Sequence, residues 1–217
     1  MSLLEQLRKA KLKLKVRETR VITPDGRELV EKRDAESGAV LTKQVGVRAW
    51  GFVGDMRPDL QVAEIIPGLM LSSQDVAQDL DLLLHHRITH VLNAASGVPN
   101  FYEGRLKYLK VNILDLPSTD ILKVLPECFK FIRNALKDGG RVLVHCNAGV
   151  SRSTTIVVAY LMRYENMTVR VAMEHVRAIR VCVRPNDGFV RQLFDYESAL
   201  RFEKSLAAKN NNNAPKK

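Results

Sequence analysis

The sequence predicts an α/β fold with a mainly parallel central sheet flanked by helices, and a phosphate loop between a central strand and a helix. Short apolar stretches alternate with longer segments of helical periodicity, which is typical of parallel strands joined by helical connections. One apolar strand, residues 142–145, runs directly into a cysteine, a glycine-containing loop and a long apolar helix. Ligands bind beyond the carboxyl ends of such strands, so we expect the functional site at this loop.

Length and composition fit one sizeable globular domain with a tail at each end. The chain has 217 residues, of which 46% are hydrophobic and 27% are charged. Its formal net charge of +10 favours anionic partners, such as a phosphorylated or acidic protein surface, acidic lipid or nucleic acid. We predict a basic, partly irregular N-terminal arm over residues 1–60, a main domain over 61–206 and a disordered low-complexity tail over 207–217.

Cysteine usage and the N-terminal residues indicate a reducing compartment. Cys128, Cys146 and Cys182 form no C-x-x-C pair, which argues against a disulfide framework or a zinc site. The N-terminus lacks the apolar core of a signal peptide and lacks a glycine at position 2 for myristoylation. Since no apolar run approaches the ~20 residues that span a bilayer, we expect no membrane span and a location in the cytoplasm or nucleus.

The elements before the phosphate loop are predicted from apolar stretches bounded by turn residues. Strands are predicted at residues 61–66, 68–71, 88–93 and 106–112. Helical spacing predicts two helices, whose apolar faces are formed by Val76, Leu80, Leu83 and Leu84, and by Leu125, Cys128, Phe129, Ile132 and Leu136. Gly139-Gly140 ends the second of these helices.

Three helices are predicted after the phosphate loop. The apolar run from Ser153 to Met162 predicts a buried helix, and Thr168 is placed to cap the next one. Arg184-Pro185-Asn186 then interrupts the chain. The apolar faces of the last two helices comprise Val169, Ala172, Met173, Val176 and Ile179, and Phe189, Leu193, Tyr196 and Leu200.

The loop after His145 has the features of a phosphate-binding site beside a reactive thiol. The first amides of a helix have no intrahelical partner, and the helix dipole adds positive charge there. Gly149 gives the loop conformational freedom, and the Arg152 guanidinium can hold two phosphate oxygens at once. The same positive field stabilises the thiolate form of Cys146 and makes its sulfur nucleophilic. The predicted phosphate-binding residues are Asn147, Ala148, Gly149, Val150, Ser151 and Arg152.

A family resemblance follows from this motif. His145, Cys146, Gly149, Arg152 and Ser153 form the pattern His-Cys-x-x-Gly-x-x-Arg-Ser. It resembles the Cys-x5-Arg signature of the protein tyrosine phosphatase superfamily, in the form found in dual-specificity (VH1-like) protein phosphatases. The whole chain resembles a small atypical member of the type that regulates stress-activated kinase pathways. The resemblance implies a protein tyrosine phosphatase-like fold, a catalytic domain over 61–206 and hydrolysis through a phosphocysteine intermediate.

Three residues are expected to carry the reaction. Cys146 attacks phosphorus, while Arg152 and the loop amides stabilise the charge on the transferred group. Asp115 lies on a loop with Pro117 after a predicted strand, and it is expected to protonate the leaving oxygen and later activate water. The resemblance places the family's acid in a loop of this kind. The alternatives are that Asp115 only stabilises a turn, or that Asp120 is the acid, although Asp120 is better placed at a helix start.

Three further residues are expected to support the site. His145 is adjacent to Cys146 on a strand, so the two side chains point to opposite faces and His145 is expected to hydrogen-bond behind the loop. Ser153 can donate a hydrogen bond to the sulfur or cap the helix, and the two roles are compatible. The resemblance implies that Asn93 braces the phosphate loop. We expect no metal and no cofactor, because the loop already supplies positive charge and the candidate ligands are scattered.

The loop interior and the N-terminal arm bear on substrates and partners. The uncharged side chains between Cys146 and Arg152 favour phosphoprotein, phosphorylated on tyrosine or on serine and threonine, over lipids with several phosphates. The basic cluster at residues 8–14 resembles a docking segment for MAP kinases or their upstream kinases, and the alternative is a solvated helix or a flexible arm. Nucleic acid is not expected as a partner. The alternatives are a scaffold protein of a kinase cascade with weak catalysis, or a phosphatase for RNA 5′ ends or lipids.

Overall fold

The structure is a computed structural model that describes residues 18–22, 27–33, 40–47 and 58–212. The chain divides into two compact units between Arg57 and Pro58, close to the boundary predicted at residue 61. The basic cluster at residues 8–14, the end of the tail at 213–217 and the apolar segment around Trp50 lie outside the described residues.

The first unit contains a three-stranded antiparallel sheet in the order β1 (Glu18–Ile22), β2 (Arg27–Arg33) and β3 (Val40–Val47). The sequence analysis predicted no strand in this polar arm, so the sheet is a correction. Aliphatic residues in each strand favour the extended conformation. The charged residues between them interrupt the period-two pattern, and the strands therefore could not be recognised from periodicity.

The second unit is built on a five-stranded sheet in the order β4-β5-β8-β6-β7. Its strands are β4 (Ala63–Ile66), β5 (Leu69–Ser72), β6 (His90–Asn93), β7 (Lys107–Lys110) and β8 (Val142–His145). Only β4 pairs antiparallel, with β5, and the other three pairings are parallel. The predicted mainly parallel sheet is therefore confirmed, with one antiparallel strand at its edge.

Six helices follow or connect these strands within the described part of the second unit. They are α1 (Gln74–Ala77), α2 (Leu80–His85), α3 (Leu125–Lys137), α4 (Arg152–Tyr164), α5 (Val169–Ile179) and α6 (Asp187–Asn212). The single helix predicted around residues 76–84 is two helices, because the Asp79 side chain accepts a hydrogen bond from Leu82 N at 3.0 Å and starts α2. Helix α6 extends to Asn212, into the segment predicted as a disordered tail.

Helices cover both faces of the sheet, and the strand register brings three strand ends together. On one face Met70, Val91 and Leu143 pack against α1 and α2, and on the other Leu71, Leu92 and Val144 join the larger core with α3 to α6. The central strand β8 pairs on both sides, so that His145 is opposite Ser72 on β5 and Asn93 on β6. The chain therefore leaves β8 at the carboxyl edge of the sheet, where the fold is expected to bind ligands.

Candidate active site

Cys146 is the first residue after β8, and it is buried. Residues 146–151, the phosphate loop, connect it to Arg152, the first residue of α4. Ser151 occupies the cap position of α4 but makes no side-chain hydrogen bond to the helix amides. The N-terminal amides of a long, buried helix therefore lack a side-chain cap, which is the arrangement that attracts an anion.

The carbonyl groups of the phosphate loop accept hydrogen bonds from the residues around it. The pairs are Cys146 O with His145 Nδ1, Asn147 O with Gln74 N, Ala148 O with Arg180 Nη2, Gly149 O with Arg180 Nε, Val150 O with Arg184 N, and Ser151 O with Thr155 N. In a trans peptide the N–H points opposite to the C=O, so the intervening amides face the inside of the loop. Among the described residues, no group accepts from the N–H of residues 147–150.

Gly149 is required by the shape of the loop. Its φ is +66°, and an added Cβ would lie 2.4 Å from the carbonyl oxygen of Ser72. A side chain at this position would therefore combine an unfavourable backbone conformation with a collision against the end of β5. The glycine allows the loop to turn tightly enough to direct its amides toward one point.

Arg152 is buried at the start of α4, and one of its three guanidinium nitrogens makes no hydrogen bond to the described residues. Its Nη1 donates to Ile113 O at 3.2 Å, and its Nη2 donates to Asn147 Oδ1. Its Nε lies 3.7 Å from Asp115 Oδ2, which is close enough for an ion pair but too long for a hydrogen bond. Within the described residues this Nε is buried and has no hydrogen-bond partner, which is typical of a group that binds a ligand.

Asp115 reaches the phosphate loop from the acid loop, residues 113–120. Its Oδ1 accepts hydrogen bonds from Ser151 Oγ and from Asn186 Nδ2, both at 2.7 Å. Its side chain is 37% exposed. The structure therefore brings Asp115 together with the phosphate loop, while its rival Asp120 forms an exposed ion pair with Lys123 at 3.3 Å.

His145 and Ser153 contact Cys146 from two sides. The Ser153 hydroxyl, which is fully buried, donates to the Cys146 sulfur at 3.1 Å. His145 Nδ1 donates to the Cys146 carbonyl at 3.2 Å, so the ring contacts the backbone of the nucleophile candidate. Burial lowers the pKa of His145 to about 4, and the Arg152 and Lys110 charges act in the same direction. A neutral imidazole therefore lies behind the loop.

Asn93 does not brace the phosphate loop, which corrects the role that the resemblance implied. Its Nδ2 donates to Val98 O and Asn100 Oδ1, each at 3.0 Å, and its Oδ1 accepts from Ala95 N at 3.0 Å. These bonds order the loop that follows β6. The strand register explains the difference, because Asn93 lies opposite His145, one residue before the phosphate loop begins.

Sequence reasoning missed two residues at this site. Arg180, at the C-terminal end of α5, is completely buried and donates to the carbonyls of Ala148 and Gly149. Asn186 binds Asp115 through its side chain and Ser151 Oγ through its backbone N–H at 3.1 Å. Asn186 was predicted only as part of the interruption at Arg184-Pro185-Asn186 and was assigned no role. Nothing in the spacing of α5 distinguished Arg180 from the other arginines nearby.

The described residues show neither a metal-binding cluster nor a membrane-spanning helix. No group of three or more His, Cys, Asp or Glu side chains in that part of the chain is arranged to hold a metal ion. No helix among the described residues is long and apolar enough to cross a bilayer.

Comparisons with known proteins agree with the site. The model of the dual specificity phosphatase catalytic domain matches residues 69–199. The chain belongs to the dual specificity phosphatase family. It is 46% identical over 180 residues to mouse dual specificity protein phosphatase 19, covering 82% of each chain. Its activity is therefore that of a dual specificity protein phosphatase.

Solved structures share the fold of the second unit. A mouse dual specificity phosphatase complexed with zinc tungstate matches with a TM-score of 0.64 and 30% identity, covering 72% of this chain and 97% of that one. The human tyrosine phosphatase-like serine/threonine/tyrosine-interacting protein matches with a TM-score of 0.61 and 38% identity, covering 64% of this chain and 96% of that one. The protein tyrosine phosphatase-like architecture predicted from the sequence is confirmed.

Proposed function

We propose that Cys146 is the nucleophile of the phosphatase and forms a phosphocysteine intermediate. The thiolate attacks phosphorus, the bond to the leaving oxygen breaks, and water then hydrolyses the phosphocysteine to release inorganic phosphate. Two observations support this role. The Ser153 hydroxyl donates to the sulfur, and the Cys146 side chain lies where the phosphate loop begins. The Ser153 hydroxyl and the loop amides stabilise negative charge on the sulfur before the attack and after the phosphocysteine is hydrolysed.

We propose that Arg152 and the amides of residues 147–151 hold the transferred phosphoryl group. The observation that carries the proposal is that the loop carbonyls accept hydrogen bonds from the surrounding residues. The loop amides therefore point inward, and among the described residues they have no hydrogen-bond acceptor. Arg152 adds a buried Nε that has no hydrogen-bond acceptor among the described residues. Preorganised donors of this kind lower the barrier by stabilising charge in the transition state.

We propose that Asp115 is the general acid and then the general base. Its carboxyl group is held beside the phosphate loop by Ser151 and Asn186, while its neighbours Leu114 and Leu116 are exposed. A bound phosphate that engages Arg152 would compete with the Arg152–Asp115 pair and release the carboxyl group toward the leaving oxygen. A positioned acid of this kind contributes about 10²–10⁴ in rate.

We propose phosphorylated proteins as the substrates, with phosphotyrosine and phosphoserine or phosphothreonine both accepted. The phosphate loop contains no lysine between Cys146 and Arg152, so it offers nothing to bind additional phosphates of an inositol lipid. The mouse neighbour was solved in complex with zinc tungstate, and tungstate is a tetrahedral oxyanion like phosphate. We further propose an action on stress-activated MAP kinase signalling in the cytoplasm or nucleus, with residues 8–14 as the docking segment.

The substrate proposal is tested with a matched panel. Purified full-length protein is assayed on phosphotyrosine and phosphothreonine peptides of the same sequence, on a phosphoinositide and on a triphosphorylated RNA. We expect turnover of both peptides and none of the other two. Preferred turnover of the lipid or RNA would contradict the phosphoprotein proposal.

Deleting residues 1–17 should spare peptide hydrolysis and abolish binding to a MAP kinase, and retained binding would reject the docking segment.

A binding role is the second candidate. It is favoured by the 38% identity to a human protein that is named as an interacting protein. The same peptide assay separates the two roles, because a binding protein would capture the phosphopeptide stoichiometrically without releasing phosphate.

A further inference from the structure

We propose that Arg180 is a positioning residue that sets the conformation of the phosphate loop from behind. This inference rests on the proposed function, since it assigns a cause to the inward direction of the loop amides. Arg180 is the residue that ends α5, and its side chain is completely buried. Burying a guanidinium has a large desolvation cost unless its N–H groups are hydrogen-bonded. The partners of Arg180 therefore indicate which part of the structure it positions.

Two of its donors bind consecutive carbonyls of the loop. Arg180 Nε lies 3.0 Å from Gly149 O, and Nη2 lies 2.9 Å from Ala148 O. The peptide that carries the Ala148 carbonyl also carries the Gly149 N–H, and the peptide of the Gly149 carbonyl carries the Val150 N–H. Because these groups point in opposite directions, the guanidinium fixes two amides toward the inside of the loop.

The close fit around Gly149 indicates that the guanidinium and the loop form one unit. A Cβ at Gly149 would lie 2.8 Å from Arg180 Nη2 as well as colliding with Ser72. The loop backbone therefore packs directly on the planar fork, whose donor directions are rigid. A lysine could not reproduce two parallel bonds to adjacent carbonyls.

Asp59 and Gln61 hold Arg180 from the other side. Arg180 Nη2 pairs with the Asp59 carboxylate, and Nη1 lies 3.2 Å from Gln61 Oε1. Asp59 is itself fixed, because its Oδ1 accepts from Gln61 N at 3.1 Å and its carbonyl accepts from Ser73 Oγ at 2.8 Å. The segment that precedes β4 thus neutralises the buried cation and fixes its distance from the loop.

The decisive experiment compares Arg180→Met with Arg141→Met. Arg141 is a matched control, because it also binds a carbonyl, that of His86 at 2.8 Å, and a carboxylate, that of Glu64 at 3.1 Å. It precedes β8, at the end of the strand opposite to Cys146. For each purified protein we would measure inhibition by tungstate, the pH profile of Cys146 alkylation by iodoacetamide, and the melting temperature.

We expect Arg180→Met to weaken tungstate inhibition about tenfold to a hundredfold, the loss of two charge-assisted hydrogen bonds that orient the site. Its alkylation profile should shift to higher pH, because misdirected amides and a lost charge stabilise the thiolate less. Arg141→Met, which removes a side chain that is 32% exposed, should leave both quantities within about twofold of wild type. Equal tungstate inhibition and alkylation profiles in the two variants would overturn the proposal.

Asp59→Asn decides the question if Arg180→Met does not fold. It keeps the shape of the side chain and removes the charge that anchors Arg180, so we expect tungstate inhibition to weaken about threefold to tenfold. Unchanged inhibition in Asp59→Asn would overturn the proposal. The proposed function fails separately, in the wild type: a wild-type protein that tungstate does not inhibit contradicts the phosphate site itself.

Discussion

The phosphate loop and the acid loop meet at the hydrogen bond between Ser151 and Asp115, but they are held in different ways. Each carbonyl of the phosphate loop accepts a hydrogen bond from a surrounding residue, two of them from Arg180, and Arg180 and Gly149 fix the shape of the loop. In the acid loop Leu114 and Leu116 are 57% and 50% exposed, and Asp115 depends on two side-chain bonds. Anion binding requires dipoles that are already oriented, whereas a proton donor must adjust to different leaving groups.

The largest effect on activity should come from replacing Cys146, the residue that begins the phosphate loop. We expect Cys146→Ser to lower the turnover number by about 10⁵-fold or more, because the remaining groups bind phosphate without a nucleophile. Affinity for a phosphopeptide, measured by calorimetry, should be retained.

Cys128→Ala is the control: burial raises the pKa of the Cys128 thiol to about 12, so this thiol stays protonated in the core. That variant should keep its activity and lose about 1 kcal/mol of stability. Phosphate release by Cys146→Ser at a wild-type rate would disprove the role of Cys146.

Removing the acid should separate the chemistry of the two loops. We expect Asp115→Ala to slow hydrolysis of alkyl phosphates about 10²–10⁴-fold, and activated aryl phosphates much less, because their leaving groups need no proton. Tungstate inhibition should be unchanged. Asp120→Ala, which removes an exposed ion pair with Lys123, is the matched control and should behave as wild type. Equal slowing of aryl and alkyl substrates would reject Asp115 as the acid.

Two glycine substitutions should distinguish the fixed loop from the adjustable one. An added Cβ at Gly188 would lie 2.0 Å from Pro117 O, so Gly188→Ala pushes the acid loop away from α6. We expect about a tenfold loss of alkyl phosphatase activity, with tungstate inhibition retained, because the displaced acid transfers its proton less well. Gly149→Ala should weaken tungstate inhibition as well. If Gly188→Ala also weakened tungstate inhibition, the two loops would not be independent.

A separate effect, on folding stability rather than on activity, concerns pH and the buried histidine. Folded His145 stays neutral down to a pKa of about 4, whereas in the unfolded chain it protonates near 6.5. Between these values the unfolded state binds more protons, so folding stability falls as pH falls, by about 2 kcal/mol at pH 5. Denaturant unfolding at pH 7.5 and pH 5 should show this loss in the wild type and a smaller one in His145→Asn. Identical losses would show that His145 does not titrate as described.

The parts of the fold with strong local patterns were predictable. The apolar run into Cys146, the Thr168 cap and the helical face from Leu125 correspond to β8, α5 and α3. The sheet of the N-terminal unit was missed because charges obscure its strands, and one expected helix is divided by the Asp79 cap.

The candidate site was predictable only where its residues share one motif or one loop. Cys146, Arg152 and Ser153 lie within a single strand-loop-helix segment, so their proximity follows from spacing. Asp115 was predicted from its place on a loop after a strand, together with the family resemblance. Asp59, Arg180 and Asn186 act through contacts between residues far apart in the chain, and only the packing of α5 and α6 on the loop brings them there. The role expected of Asn93 was wrong, because β6 pairs with β8 in a register that places Asn93 opposite His145, one residue before the phosphate loop begins.

The most direct test of the account is to trap the intermediate. A phosphotyrosine peptide is mixed rapidly with the enzyme, the reaction is stopped with acid, and the phosphorylated site is located by mass spectrometry. The account predicts that the phosphoryl group is carried by the peptide containing Cys146, and that none accumulates in Cys146→Ser. Rapid phosphate release with the phosphoryl group on another residue, or with no phosphorylated enzyme at any time, would contradict it.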